Sequence, residues 1–272
     1  MKKILVQPSS LENLGDILKT DIDGIILPLE HLAVNSSIYF TLEDIKSIIN
    51  LTSKEVCACI NKIMHNEDLD LLEQALISLN KMNVSKIFFY DLAVMNLVQR
   101  LGIKKELVVF QDHLNASCYS NLFYKKRGIA HSVITNDITK EEINEISQYQ
   151  SLMLICYGYL PIFYSRRYLI TNYLKYIHQD KKSQVYYIKN GEDQYPIVEE
   201  ESGTTIYTKK PINLIHEINN IQVDYIILNA MFTTRKDFIS ILCQYLKNEI
   251  DDQEHYVGFI DKKTVYKVAD YE

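Results

Sequence analysis

Three aspartates, Asp91, Asp112 and Asp137, stand at or just past the ends of short, β-rich apolar runs. Carboxylates placed this way can move protons or gather around a divalent ion. Gln7, Glu30, Asn61, Gln111, Asn136, Tyr157 and Asn229 occupy equivalent positions. If the runs are strands ending on one side of the molecule, Glu30, Asn61, Asp112, Asn136, Tyr157 and Asn229 form a polar ring able to bind a small ligand. Strand ends are also polar simply because they meet water. His113 follows Asp112 and His31 follows Glu30, but neighbours on an extended chain point to opposite sides, so neither is expected to form a direct pair. Cys57 and Cys59 alternate on one run and would share a face. With no second pair to complete a metal site, they are expected to be buried thiols.

The segment YSRRYLITNYLKYIHQDKKS carries a different chemistry. Arg166, Arg167, Lys175, Lys181 and Lys182 are interleaved with Tyr164, Tyr168, Tyr173 and Tyr176. Cations between aromatic rings can follow phosphates and stack on bases, so Arg166, Arg167 and Lys175 are candidate contacts for RNA or a partner. The same pattern also fits a solvated helix whose tyrosines pack on the body of the protein. No phosphate-binding glycine loop, GxSxG elbow, HExxH or GxGxxG occurs.

These residues are positioned by a regular alternation. Strand candidates lie at residues 4–7, 24–27, 56–60, 86–90, 107–110, 130–134, 152–156 and 225–228, with helical patterns between most of them. The helices are read at 11–18, 41–50, 68–82 and 233–247, with another opening at the capping box of Thr139 and Glu142. Eight strands alternating with helices point to a TIM-type (β/α)8 barrel, whose functional residues sit at the C-terminal strand ends. An open doubly wound sheet is the alternative, without a glycine-rich turn to support it. Between the seventh and eighth barrel strands, residues 164–178 read as a helix, and runs at 185–189, 195–199 and 204–208 surround the hairpin dipeptide Asn190-Gly191. This gives one domain over 1–272, with a small β insertion at about 184–210 and an extended tail at about 255–272.

The chain has 272 residues, a net charge of −6 and 47% hydrophobic residues, which suits a globular protein with a substantial core. The acidic balance argues against a uniformly nucleic-acid-coating surface. Five scattered cysteines, no CxxC pair and a short first apolar run suggest a reduced, cytoplasmic protein without a membrane span.

The segments at residues 61–76, 127–143, 156–176 and 186–218, with the closing GFIDKKTVYKV at 258–268, resemble the collagenase-like peptidase U32 family, in its short Gram-positive branch. The resemblance implies a barrel-like domain with the insertion and tail just described. It also implies hydroxylation chemistry on the wobble uridine of tRNA or on quinone precursors, with a prephenate-like acidic metabolite, and often a four-cysteine iron–sulphur site. The family's HG dipeptide stands here as Tyr157-Gly158, its signature cysteines as Pro161 and Tyr168, and its Arg-Glu pair as Asn136-Asp137. Four thiolates are needed for a cluster, so none is expected. The reading is a cluster-free barrel subunit supporting tRNA wobble-uridine hydroxylation beside a cluster-bearing paralogue. Its alternatives are a metal- or carboxylate-dependent peptidase using Asp91, Asp112 and Asp137, and a degenerate barrel kept as an interaction module.

Overall fold

A computed structural model describes residues 2–262. The chain runs β1 (Lys3–Gln7), α1 (Leu11–Ile17), β2 (Gly24–Pro28), α2 (Leu42–Leu51), β3 (Glu55–Ile60), α3 (Leu69–Lys81), β4 (Lys86–Phe89) and α4 (Leu92–Arg100). It continues through β5 (Glu106–Phe110), α5 (Cys118–Lys126), β6 (His131–Val133), α6 (Lys140–Ile146), β7 (Ser151–Gly158), β8 (Pro161–Ser165) and α7 (Leu169–Tyr176). The remaining elements are β9 (Val185–Asn190), β10 (Asp193–Glu200), β11 (Gly203–Tyr207), β12 (Ile212–Asn213), β13 (Tyr225–Asn229) and α8 (Arg235–Lys247).

Strands β1 to β7 pair in parallel in chain order, β7 pairs with β13, and β13 returns to β1, closing an eight-stranded TIM-type barrel. Such strands are covered on both faces, which is why GIILP and KIFF are buried at every position. Helices cover the wall through one apolar stripe: α3 buries Leu72, Ala75, Leu76 and Leu79, each leucine contributing about 2 kcal/mol. The expected boxes form, Thr41 with Asp44 opening α2 and Thr139 with Glu142 opening α6.

After β7 the helix that a regular barrel would place is replaced by an inserted unit. Gly158 takes φ 137° as the chain turns, and a Cβ there would meet Asn229 at 2.9 Å. Strands β8, β11, β10 and β9 form an antiparallel sheet in that order, with Ile170 and Leu174 of α7 packed on Ile197. The sheet therefore begins at Pro161, well before the expected 184–210, and α7 is shorter than the expected 164–178. The cause is PIFYS, whose branched and aromatic side chains pair as a strand against β11. The hairpin loop is Gly191-Glu192, one residue later than expected, since Asn190 still pairs with Asp193. Entry and exit of the unit are clasped: Thr208 N donates to Leu160 O at 2.9 Å, and Leu160 N to Thr208 Oγ1 at 3.2 Å.

The expected extended tail is corrected over 256–262, where the chain forms a turn around Gly258 and buries Ile260 against the barrel. Turn formation follows from Gly258 at φ 63°, a conformation incompatible with a strand. The rest of that expectation lies outside the described residues.

Candidate functional site

The inserted sheet lies over the C-terminal mouth of the barrel. Tyr207 of β11, 1% exposed, donates its hydroxyl to Asn35 Oδ1 at 2.9 Å in the loop after β2. The carboxylate of Glu200 accepts from the Tyr39 hydroxyl and from Asn35 N, and His31 Nδ1 sits 3.3 Å from Glu201. The ring of Tyr207 also meets Phe232, which meets Tyr159 in turn, at 5.0 and 5.4 Å between centroids. His31, Asn35 and Phe232 all adopt left-handed backbone, at φ 63°, 60° and 60°. Non-glycine residues take that conformation at an energetic cost, so the loops facing the sheet are held by its contacts.

Two clefts open beneath the sheet and share Asp112, His113, Pro161 and Ile162. One runs over β5 to β7 and is walled by Phe110, Ile155, Leu160 and Phe259. The other lies toward β3 and β4, with Asn61, Tyr90, Phe163 and Tyr164. Asp112 stands between them and, among the described residues, accepts no hydrogen bond. Burial, first of all, pushes its carboxyl up to about 6, with His113 pulling down and Asp137 pushing up. His113 Nδ1 is hydrogen-bonded to Asp137 Oδ2, and that bond holds the imidazole above its ordinary value and the Asp137 carboxyl below its own. Thr135 Oγ1 donates to the same oxygen, Asp137 Oδ2, at 3.2 Å. The arrangement places a carboxyl that can donate a proton near neutral pH beside a hydrogen-bonded imidazole–carboxylate pair, under an apolar roof.

Of the expected site residues, the structure brings Asp112 and Asp137 together and adds His113 to them. The pairing runs to Asp137 in the loop after the neighbouring strand β6 rather than to the adjacent Asp112, which brings His113 into the cluster. Asp91 is a helix cap: its carboxylate accepts from Ala93 N at 2.9 Å and Met64 N at 3.0 Å, which removes it from the acids of the site. Asn61 clamps both backbone groups of Val34, Asn136 donates to Ile155 O, and Asn229 accepts from Met231 N. Each of these three amides satisfies a backbone group, and Asn61 and Asn136 also line the clefts. Tyr157 turns outward, its ring 6.0 Å from Phe238 of α8 and its hydroxyl 3.3 Å from Thr233 Oγ1. Gln111 is spent between Tyr90 O and the Tyr124 hydroxyl, and Gln7 is buried beside Asn35. Glu30 is exposed and lines a separate recess with Lys62 and Glu200. The aromatic wall of Tyr90, Phe163, Tyr164 and Phe259 was not expected; only the position of Tyr90 beside Asp91 hinted at it.

Neither cleft has a lysine or arginine among its lining residues. A dicarboxylate of the expected kind would meet Asp112 and an imidazole already bonded to Asp137, so the donor set does not fit it. Nor do the thiols fit an iron–sulphur group. Cys57, Cys59 and Cys156 are enclosed in the core, where burial pushes Cys57 and Cys156 up to about 12 and Cys59 in the same direction.

The basic segment is displayed. On α7 and the turn before it, Tyr168, Tyr173 and Tyr176 are 48, 62 and 81% exposed, and Arg166, Arg167 and Lys175 are exposed beside them. The tyrosines do not pack on the barrel. Arg166 Nη1 reaches His65 Nδ1 at 3.1 Å, which sets this cationic face on the rim of the mouth.

A model of peptidase family U32 matches residues 9–247. Among curated proteins, tRNA hydroxylation protein P2 of Bacillus subtilis is 24% identical over 236 residues, covering 81% of this chain and 76% of that protein. tRNA hydroxylation protein P1 of the same organism is 22% identical over 178 residues, 63% of this chain and 42% of that protein. Among solved structures, the U32 peptidase Mk0906 has a TM-score of 0.51 at 15% identity, over 59% of this chain and 70% of that one. Orotidine 5'-monophosphate decarboxylase from Methanocaldococcus jannaschii gives 0.52 at 13% identity, over 93% of this chain and all of that one, a likeness of fold alone. No helix among the described residues is long and apolar enough to cross a membrane.

Proposed function

The chain belongs to peptidase family U32, and on that premise we propose that it is a cytoplasmic barrel subunit supporting hydroxylation of the tRNA wobble uridine, working beside a second, cluster-bearing U32 chain. The observation that carries this reading is the exposed surface of α7 and the turn before it. In a chain of net charge −6, three tyrosines and three cations are presented together to solvent, an arrangement suited to stacking on bases and following phosphates. The similarity to two tRNA hydroxylation proteins supports it further. The apolar clefts, poor in cations, suit an uncharged, hydrogen-bonding ring such as a pyrimidine base better than a dicarboxylate. Asp112, partly protonated near neutral pH, could donate to a carbonyl of such a ring, and the His113–Asp137 pair would hold its neighbour in place. The oxidising chemistry is assigned to the partner.

Mass spectrometry of bulk tRNA from a deletion strain lacking redundant hydroxylation routes tests the proposal. Loss of hydroxylated uridine, restored by the intact chain and not by Arg166→Ala/Arg167→Ala, is expected. Unchanged hydroxylation in the deletion strain would sink it. A carboxylate-based peptidase retains Asp112 and Asp137 but loses Asp91 to its capping role; cleavage of casein that Asp112→Ala abolishes would favour that reading instead.

A further inference from the structure

We propose that His216, Asp251 and His255 form a site for a divalent transition-metal ion of the zinc class, on the outer wall of the barrel. His216 lies in the stretch that follows β12, and the other two lie in the segment leaving α8. Asp251 Oδ1 is 3.4 Å from His216 Nε2 and 2.8 Å from His255 Nε2, and the three ligand atoms all lie within 4.8 Å of one another. A tetrahedral ion with bonds of about 2.0–2.1 Å spaces its ligands about 3.3 Å apart, so three corners of the polyhedron are nearly in position. Two imidazoles and one carboxylate suit zinc or cobalt; magnesium and calcium prefer oxygen alone. The side chains are 34, 22 and 13% exposed, so an ion and a water ligand can reach them.

The surrounding contacts orient the carboxylate. Gln253 N donates to Asp251 Oδ1 at 3.1 Å and Gln244 Nε2 to Oδ2 at 3.3 Å. One contact opposes loading. Asn213 Oδ1 accepts from Ile215 N and the Tyr245 hydroxyl, so its Nδ2 is the atom facing His255 Nδ1 at 3.3 Å. Metal on Nε2 moves the ring proton to Nδ1, where an acceptor is then needed. Asn213→Asp supplies that acceptor.

The ion would act as a staple with a consequence for the mouth. His255 precedes Tyr256, whose carbonyl accepts from Asn213 N at 2.9 Å and which lines the cleft over β5 to β7 with Gly258 and Phe259. Fixing the residue next to Tyr256 fixes that wall. The proposal is independent of the tRNA reading.

The test uses the untagged full chain, stripped with a chelator and titrated with Zn²⁺ by calorimetry and with Co²⁺ by visible absorption. One ion per chain and the intense absorption of tetrahedral Co²⁺ are expected. Affinity should fall at least tenfold in His216→Ala and His255→Ala, stay unchanged in His31→Ala and rise in Asn213→Asp. Zn²⁺ should also slow hydrogen exchange over 251–259. Absence of binding, octahedral cobalt spectra, or binding that survives both histidine changes would overturn the site. If the alanine variants unfold, the wild-type cobalt spectrum and the exchange pattern still decide.

Discussion

The two ends of the barrel treat charge in opposite ways. At the N-terminal end, Lys86 is 4% exposed and fully matched: Nζ lies 2.5 Å from Glu55 Oε2 and 3.6 Å from Glu106 Oε2, with the Tyr225 ring 5.2 Å away. Burial alone would lower the Lys86 ammonium, yet the Glu55 hydrogen bond and neighbouring charge raise it. Lys3 adds a second partner to Glu55 at 2.8 Å. At the C-terminal end, Asp112 has no such partner and rises to about 6. A satisfied network closes one end for stability, whereas the other holds a group whose proton is free to move. In an unknown barrel, that contrast marks the working face more clearly than a count of polar residues does.

The comparison can be broken first at the closed end. Lys86→Met leaves Glu55 short of its main partner in a half-buried place, so unfolding in urea should show a loss of about 3 kcal/mol. A loss below about 1 kcal/mol would mean that the base is no tighter than the mouth. Asp112→Asn tests the open end and should act with the reverse sign. The folded chain binds the Asp112 proton more tightly than the unfolded chain, whose value is near 3.8. Stability from that preference is full below about pH 4 and gone above about pH 6. At pH 8 the asparagine variant should therefore be more stable, by about 1 kcal/mol after solvent screening, or about 2–4 °C in Tm. At pH 4 the two melting curves should coincide; a gain that persists there would assign the effect to packing. The smallest change in stability is expected at α7. Tyr173→Ser/Tyr176→Ser should shift unfolding by under about 0.5 kcal/mol while weakening tRNA binding about tenfold, read by filter binding at fixed salt. Equal affinity would return that face to solvent.

The barrel was legible because parallel strands buried on both faces leave continuous apolar runs, and because the boxes at Thr41 and Thr139 punctuate the helices. Strand β8 escaped notice because its aromatic residues run straight into a helix of similar composition. The site was only partly legible. Asn61, Asn136 and Asn229 occupy the right ends but bond backbone groups of Val34, Ile155 and Met231, a use of the side-chain amide that sequence position does not distinguish from ligand binding. Tyr157 was misplaced for another reason. A register shift where β13 meets β7, between Ile227 and Leu228, breaks the simple alternation that would have assigned its side. The meeting of His113 with Asp137 depends on two loops 24 residues apart, which local pattern does not reveal.

The clasp between Leu160 and Thr208 brings the two connections of the inserted sheet side by side. A unit that enters and leaves through one doorway can be exchanged at two neighbouring cuts, provided its contacts to the loops bearing Asn35 and Phe232 are kept. Relatives could therefore trade this cassette, keeping one barrel while changing what it recognises, and a chimera cut at Leu160 and Thr208 should retain the barrel of one parent and the selectivity of the other.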